Sequence, residues 1–123
     1  MQVMDGTTQQ AKEQALDQAE LLVCAAAAGV RLISQSQLQQ AKNLTGLVDV
    51  NAVPPSAVDG VSSDMDGQLI LNGRAFAVGA LAVGQLKYQT QLQLLKQMTS
   101  ADQPLYLEFN AAFKLARDIL HPY

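Results

Sequence analysis

The sequence has very few of the residues on which several functional classes depend. Its 123 residues include one cysteine, one histidine and no tryptophan, so a disulfide framework and a histidine–cysteine metal site are both excluded. Aromatic residues make up 5% of the chain and the net charge is −3, which argues against nucleic-acid binding. No apolar run is long enough to span a membrane, and the N-terminus lacks the residue order of a secretion signal. The cytoplasm is the expected location, with neither membrane nor nucleic acid as a partner.

The single cysteine and the single histidine do not form a recognisable catalytic pair. Cys24 lies in the apolar run LLVCAA, which we expect to be buried, and His121 lies close to the C-terminus. A nucleophilic cysteine needs an exposed, electropositive site and usually a histidine partner. We therefore expect Cys24 to be a core residue.

Nearly half of the residues are hydrophobic, enough for one domain or one lobe of a larger one. Helical and strand patterns alternate in the first half of the chain. The predicted elements are a helix capped by Thr7 or Thr8 (residues 8–20), a strand (21–26), a short helix capped by Ser34 or Ser36 (37–43) and a strand (46–50). This order is typical of an α/β fold, and we interpret it as half of a doubly wound, Rossmann-like parallel sheet.

Each of the two predicted strands is followed by a segment suited to ligand binding. After the second strand, Pro54 and Pro55 predict a rigid, extended loop, and Asn51 has an amide that could recognise a carboxamide or a heterocycle edge. The alternative is that Asn51 only closes a turn. After the first strand, small residues at positions 25–29 would let a flat ligand lie close to the backbone. Open α/β sheets bind ligands at such strand ends.

The rest of the chain predicts a hairpin and two helices. Asn72-Gly73 between apolar runs indicates a hairpin of two edge strands over residues 68–78. A long helix should run from Ala80 to about Ser100, with Gly84 as a possible early interruption, and a last helix should cover residues 110–120.

No Gly-x-Gly-x-x-Gly turn occurs in the sequence, although a complete dinucleotide-binding sheet would contain one. We therefore expect the phosphate-holding half upstream of Met1 or on another chain. Residues 1–78 are then the second half of a nucleotide-binding domain. Residues 79–123 are a C-terminal helical segment that returns toward a missing N-terminal lobe.

Three segments together resemble a known family. They are GLVDVNAVPPSAVDG (residues 46–60), GRAFAVGALAVGQLKY (residues 73–88) and the closing helix around residues 113–120. This combination resembles the C-terminal part of bacterial NAD(P)-dependent methylene-tetrahydromethanopterin dehydrogenases, which are related in fold to the methylene-tetrahydrofolate dehydrogenases. The resemblance covers about residues 15–120.

The resemblance implies an oxidoreductase of one-carbon metabolism that transfers hydride from methylene-tetrahydromethanopterin, or from methylene-tetrahydrofolate, to NAD or NADP. It implies that the loops after both strands line the nicotinamide side of the cofactor pocket, through Ala26, Ala28, Gly29, Val30, Asn51, Pro54 and Pro55. Lys87 matches a lysine near the cleft, where an ammonium group could orient the pterin or stabilise its developing charge. Arg74 also matches a basic position, but we interpret it as a structural or surface residue.

Two alternatives stay open at this point. Lys87 could be an ordinary solvated helix lysine, and the chain could be a non-catalytic lobe that associates with itself or with another protein. As a fragment of a dehydrogenase, the isolated chain is expected to be inactive. Its expected partners are a pterin or folate substrate, and either further copies of itself or the missing upstream half.

Overall fold

The computed structural model describes residues 6–121 and confirms the predicted α/β fold. The helices and strands are α1 (Gln9–Gln18), β1 (Leu21–Cys24), α2 (Gln35–Gln40), β2 (Gly46–Asp49), β3 (Asp66–Ile70), β4 (Ala75–Val78), α3 (Ala80–Ser100) and α4 (Phe109–Leu120). The chain divides into two compact units, Met1–Ala82 and Val83–Tyr123. The functional roles that the sequence assigned to residues 1–78 and 79–123 stay a prediction.

The first unit contains a four-stranded sheet in the order β1-β2-β4-β3. Strands β1, β2 and β4 are parallel, and β3 runs antiparallel to β4. The predicted hairpin is present, with Asn72 (φ 57°) and Gly73 (φ 85°) in left-handed conformations at its turn. Of the two strands predicted to be edge strands, β3 does lie at an edge of the sheet, but the prediction is wrong for β4, which lies between β2 and β3. The side chains of Ala75 and Ala77 on β4 are completely buried, as expected for an interior strand.

Side-chain caps determine where the first two helices begin. Thr8 accepts a hydrogen bond from the Ala11 amide (3.2 Å) and begins α1. Ser34 and Gln37 form a capping box, in which each side chain accepts a hydrogen bond from the other residue's backbone amide. Because Ser34 rather than Ser36 is the cap, α2 begins two residues earlier than predicted.

The two faces of the sheet differ in burial. One face carries the core, to which α1, α2 and the segment after β2 contribute; its buried residues include Leu16, Leu38, Leu47, Val58 and Ala77. On the other face, Leu21, Val23, Leu69 and Phe76 are exposed. Phe76 is paired with Leu69 on one side and with Gly46 on the other, and Gly46 is in turn paired with Leu21. The run around Cys24 is therefore only half buried, because alternate side chains of β1 point to opposite faces. Parallel sheets are usually covered on both faces, so this exposed apolar face is unusual.

The second unit consists mainly of helix. Helix α3 continues through Gly84, so the predicted interruption does not occur; a helical glycine costs only about 1 kcal/mol relative to alanine. In α4, the rings of Phe109 and Phe113 stack with their centroids 5.9 Å apart. Within residues 6–121, none of the helices combines the length and apolar character needed to cross a bilayer.

Candidate functional site

Two loops leave the same edge of the sheet side by side. The β1 loop (residues 25–30) and the β2 loop (residues 50–55) follow adjacent parallel strands, in which Cys24 is paired with Asp49. The Val50 amide donates a hydrogen bond to the Cys24 carbonyl at 3.0 Å, so pairing continues to the point where the loops begin. The structure thus brings the two predicted loops together at the carboxyl ends of their strands, where open α/β sheets bind ligands.

A buried carboxylate fixes the course of the β2 loop. Only 2% of Asp49 is exposed, and its two oxygens accept hydrogen bonds from the amides of Asn51 (2.9 Å) and Val58 (3.1 Å). The first bond holds the start of the loop, and the second holds the chain just beyond the two prolines. Since both donors are backbone groups, the loop geometry depends on the carboxylate at position 49.

Asp49 also affects the neighbouring cysteine. Burial raises the pKa of the Cys24 thiol to about 11, and the negative charge of Asp49 adds to this effect. The thiol is therefore protonated at neutral pH, and the structure confirms Cys24 as a core residue.

The side chain of Asn51 connects the two loops. It is 8% exposed, and its Nδ2 donates to the carbonyls of Ala27 (3.4 Å) and Pro55 (3.5 Å). Its Oδ1 accepts a hydrogen bond from the Val53 amide at 3.2 Å. The contact with Val53 agrees with the interpretation that Asn51 closes a turn. The contact with Ala27 shows that the same side chain also links the two loops. Recognition of a ligand by the same amide stays a prediction.

The loops also approach each other at a glycine. Gly29 has φ +72°, and a Cβ atom built there would lie 3.4 Å from the Pro54 carbonyl oxygen. Glycine adopts this backbone conformation without strain. Through contacts at Ala27 and Gly29, the loop that contains Ala26, Ala28, Gly29 and Val30 therefore adjoins the loop that contains Asn51, Pro54 and Pro55. Their role as cofactor-binding residues stays a prediction.

A small cavity of about 190 Å³ opens beside Asn51. It is lined by Asn51, Ala52, Pro54, Ser56, Ser62 and Ser63. Small-molecule sites usually measure about 300–1,000 Å³, so this cavity has room for one part of a ligand. Gly79 packs against two residues that line this cavity, Ser62 and Ser63. A Cβ atom at position 79 would collide with their carbonyl oxygens.

Arg74 and Lys87, the two basic residues that the sequence resemblance identified, lie in different structural environments. The Arg74 guanidinium donates a hydrogen bond to the Ala41 carbonyl at 3.0 Å, which is the structural role expected for it. Lys87 is exposed on α3, within the second unit. Its catalytic role stays a prediction. Across residues 6–121, no three His, Cys, Asp or Glu side chains are grouped so that they could hold a metal ion.

Sequence reasoning missed Asp49 and Gly79. A signal for Asp49 was present, because a carboxylate in the apolar run GLVDV needs buried partners if the run is an interior strand. Gly79 gave no comparable signal, since the close approach of residues 62 and 63 arises from contacts that are distant along the chain.

The sequence of the chain is similar to that of a known enzyme. No family model matches the chain. Over 116 residues the chain is 38% identical to the NAD(P)-dependent methylenetetrahydromethanopterin dehydrogenase of Methylorubrum extorquens. The chain resembles the C-terminal part of this dehydrogenase. The match covers 94% of the chain and 39% of the M. extorquens dehydrogenase, so the chain spans about two fifths of that protein's length.

Proposed function

We propose that this chain forms the nicotinamide-side part of an NAD(P)-dependent methylenetetrahydromethanopterin dehydrogenase. In the proposed reaction, hydride passes from methylene-tetrahydromethanopterin, or from methylene-tetrahydrofolate, to NAD or NADP. The observation that carries the proposal is the 38% identity to the M. extorquens dehydrogenase, which extends over 94% of the chain.

The two strand-end loops suit the nicotinamide ring. Small residues at positions 26, 28 and 29 allow a flat ring to approach the backbone, and the cavity beside Asn51 has room for part of a ligand. When bound, the nicotinamide ring supplies the hydride chemistry. The protein then needs to orient the reactants and exclude water, and it does so without an acid–base pair. The hydrogen bonds of Asp49 and Asn51 hold both loops in place for this task.

The pyrophosphate of the cofactor needs a different part of the enzyme. Dinucleotide sites hold it at a Gly-x-Gly-x-x-Gly turn, and the 123 residues contain no such turn. Under our proposal, the phosphates are held by residues outside these 123, and the isolated chain binds NAD or NADP weakly and is inactive.

Lys87 is the residue that we propose to act on the pterin. Its exposed ammonium group would orient the pterin or stabilise charge that develops on it during hydride transfer. Lys96 lies on the same helix and is also exposed, so it offers a matched comparison.

A chimera tests the proposed function. The matched part of the M. extorquens dehydrogenase would be replaced by this chain, and NADH or NADPH formation from methylene-tetrahydromethanopterin would be followed by absorbance. We expect an active chimera whose kcat/KM falls at least about tenfold in K87M and stays unchanged in K96M. A folded chimera that binds NADP but produces no NADPH would contradict the proposal.

The exposed apolar face of the sheet favours a second function, association with another protein or with further copies of the chain. Leu21, Val23, Leu69 and Phe76 all lie exposed on this face, and large apolar patches often mark interaction sites. Light scattering on the isolated chain tests this second function. A monomer argues against self-association, whereas an obligate oligomer supports it.

A further inference from the structure

A buried side-chain amide on α2 has a donor group without an acceptor. Gln37 is 5% exposed, and its Oε1 accepts hydrogen bonds from the backbone amide (2.9 Å) and the hydroxyl (3.2 Å) of Ser34. Its buried Nε2 has no hydrogen-bond partner among residues 6–121. Flipping the amide would turn its NH₂ group toward the N–H of Ser34, so that two donors would face each other. An acceptor oxygen placed beside Nε2 would therefore stabilise the protein.

Gln37 belongs to the wall of a cavity between α1 and α2. The cavity has a volume of about 580 Å³, a size common among small-molecule sites. None of the residues in its wall belongs to the two strand-end loops, so it is separate from the candidate cofactor site. The spacing of the polar residues on α1 places them on one face of that helix. The wall includes Gln10, Glu13, Gln14 and Asp17 on one side and Gln37 and Lys42 on the other.

The charged groups of this wall are not paired within the chain. Glu13 and Asp17 lie four residues apart on α1, so their carboxylates are neighbours. Glu13 accepts a hydrogen bond from the neutral amide of Gln9 (3.0 Å). Over the described range 6–121, the only ion pair lies elsewhere, so neither carboxylate and not the ammonium of Lys42 has a partner of opposite charge there. Two carboxylates and one ammonium give the wall a net charge of −1.

We propose that the cavity between α1 and α2 binds a basic α-amino acid. The ligand carboxylate accepts a hydrogen bond from Nε2 of Gln37 and pairs with Lys42. The ligand's two cationic groups pair with Glu13 and Asp17. One negative and two positive charges complement the charges of the wall. A guanidinium binds a carboxylate through two parallel hydrogen bonds, so arginine suits the site. This proposal is independent of the proposed dehydrogenase function.

Simpler ligands satisfy only part of the wall. An inorganic anion could accept a hydrogen bond from Gln37, but it would be repelled by Glu13 and Asp17. A diamine could pair with both carboxylates, but it would leave the donor of Gln37 without an acceptor. A ligand with a carboxylate and two cationic groups satisfies the buried donor and the acidic side of the cavity together.

An NMR titration of the 123-residue chain with L-arginine tests the proposal. The side-chain NH₂ of Gln37 has its own pair of signals, and we expect both signals to shift at millimolar arginine. Agmatine lacks the carboxylate and L-citrulline lacks the guanidinium charge, so each should bind at least about tenfold more weakly. If the NH₂ signals of Gln37 do not move with arginine, or if agmatine binds as tightly as arginine, the proposal is wrong.

The variant Q37E removes the donor and keeps the helix cap. Glutamate has an oxygen for the N–H of Ser34, as in the usual Ser-x-x-Glu capping box, but it has no N–H to donate. We expect Q37E to retain the circular dichroism spectrum and to bind arginine at least about tenfold more weakly. Q39E is the control, because Gln39 is exposed on α2 and lies outside the cavity wall. Equal affinity for arginine in Q37E and Q39E would overturn the proposal.

The variant E13Q tests the acidic side of the cavity without changing a buried group. Glu13 is exposed, so the loss of its charge leaves the core intact, and we expect arginine to bind about threefold more weakly. E20Q is the matched control, since Glu20 is also exposed and does not line the cavity. If E13Q and E20Q bind arginine equally well, Glu13 does not contact the ligand and the proposed arrangement is wrong.

Discussion

Replacing Asp49 with asparagine tests whether the buried carboxylate maintains the candidate site. Each carboxylate oxygen accepts one backbone hydrogen bond, and bonds to a charged group contribute about 1.5–3 kcal/mol each. The asparagine side chain keeps one acceptor oxygen for one of the two backbone amides, and its NH₂ group faces the other, which loses its acceptor. Part of the loss is offset because the amide costs less to bury than a charge. We expect D49N to lower the free energy of unfolding by about 2 kcal/mol, roughly thirtyfold in the folding equilibrium.

The same substitution at Asp59 is the matched control. Asp59 forms an exposed ion pair with Arg31 at 2.8 Å, and exposed pairs contribute at most about 1 kcal/mol. The chain has no tryptophan, so urea unfolding is followed by far-ultraviolet circular dichroism. If D49N lowers the free energy of unfolding no more than D59N does, the carboxylate of Asp49 does not hold the β2 loop in place.

Three further predictions concern single residues near the site. Because the folded-state pKa of Cys24 is about 11 and the unfolded value is lower, the folded chain keeps a proton that the unfolded chain loses. The free energy of unfolding should therefore fall by about 2 kcal/mol between pH 9 and pH 11, and C24A should remove this decline in alkaline urea titrations. N51A should lower the free energy of unfolding by about 1 kcal/mol and speed amide exchange in both loops. Unchanged exchange in the β1 loop would show that Asn51 does not link the two loops. G79A should cost about 2 kcal/mol by thermal unfolding through its collision with two backbone carbonyls, whereas G84A, in open space on α3, should be neutral or stabilising.

Local signals in the sequence predicted most of the elements. The cap at Thr8, the turn at Asn72-Gly73 and the span of α3 each depend on a few neighbouring residues, so they can be read without knowledge of the fold. The two strand-end loops could also be predicted, because the order of helices and strands implies that their carboxyl ends share one edge of the sheet.

What the sequence did not reveal depends on contacts between distant segments. Strand β4 lies beside β2 inside the sheet, and its residues Ala75 and Ala77 are buried there. An alternating sequence of this kind occurs in edge strands and in interior strands, so the sequence does not indicate the position of β4 in the sheet. The exposure of Leu21 and Val23 likewise depends on what covers their face of the sheet. Asp49 and Gly79 are important because of their partners, and no local pattern identifies those partners.

The central claim is that the loops after β1 and β2 form the nicotinamide side of a cofactor site. An NMR titration of the isolated chain with NADP tests it most directly, with amide shifts assigned residue by residue. We predict shifts confined to residues 25–30, to residues 50–56 and to Ser62 and Ser63 beside the cavity, with an affinity weaker than micromolar because the phosphate turn is absent from these 123 residues. Micromolar binding to the isolated chain, or shifts that leave out both loops, would contradict the account.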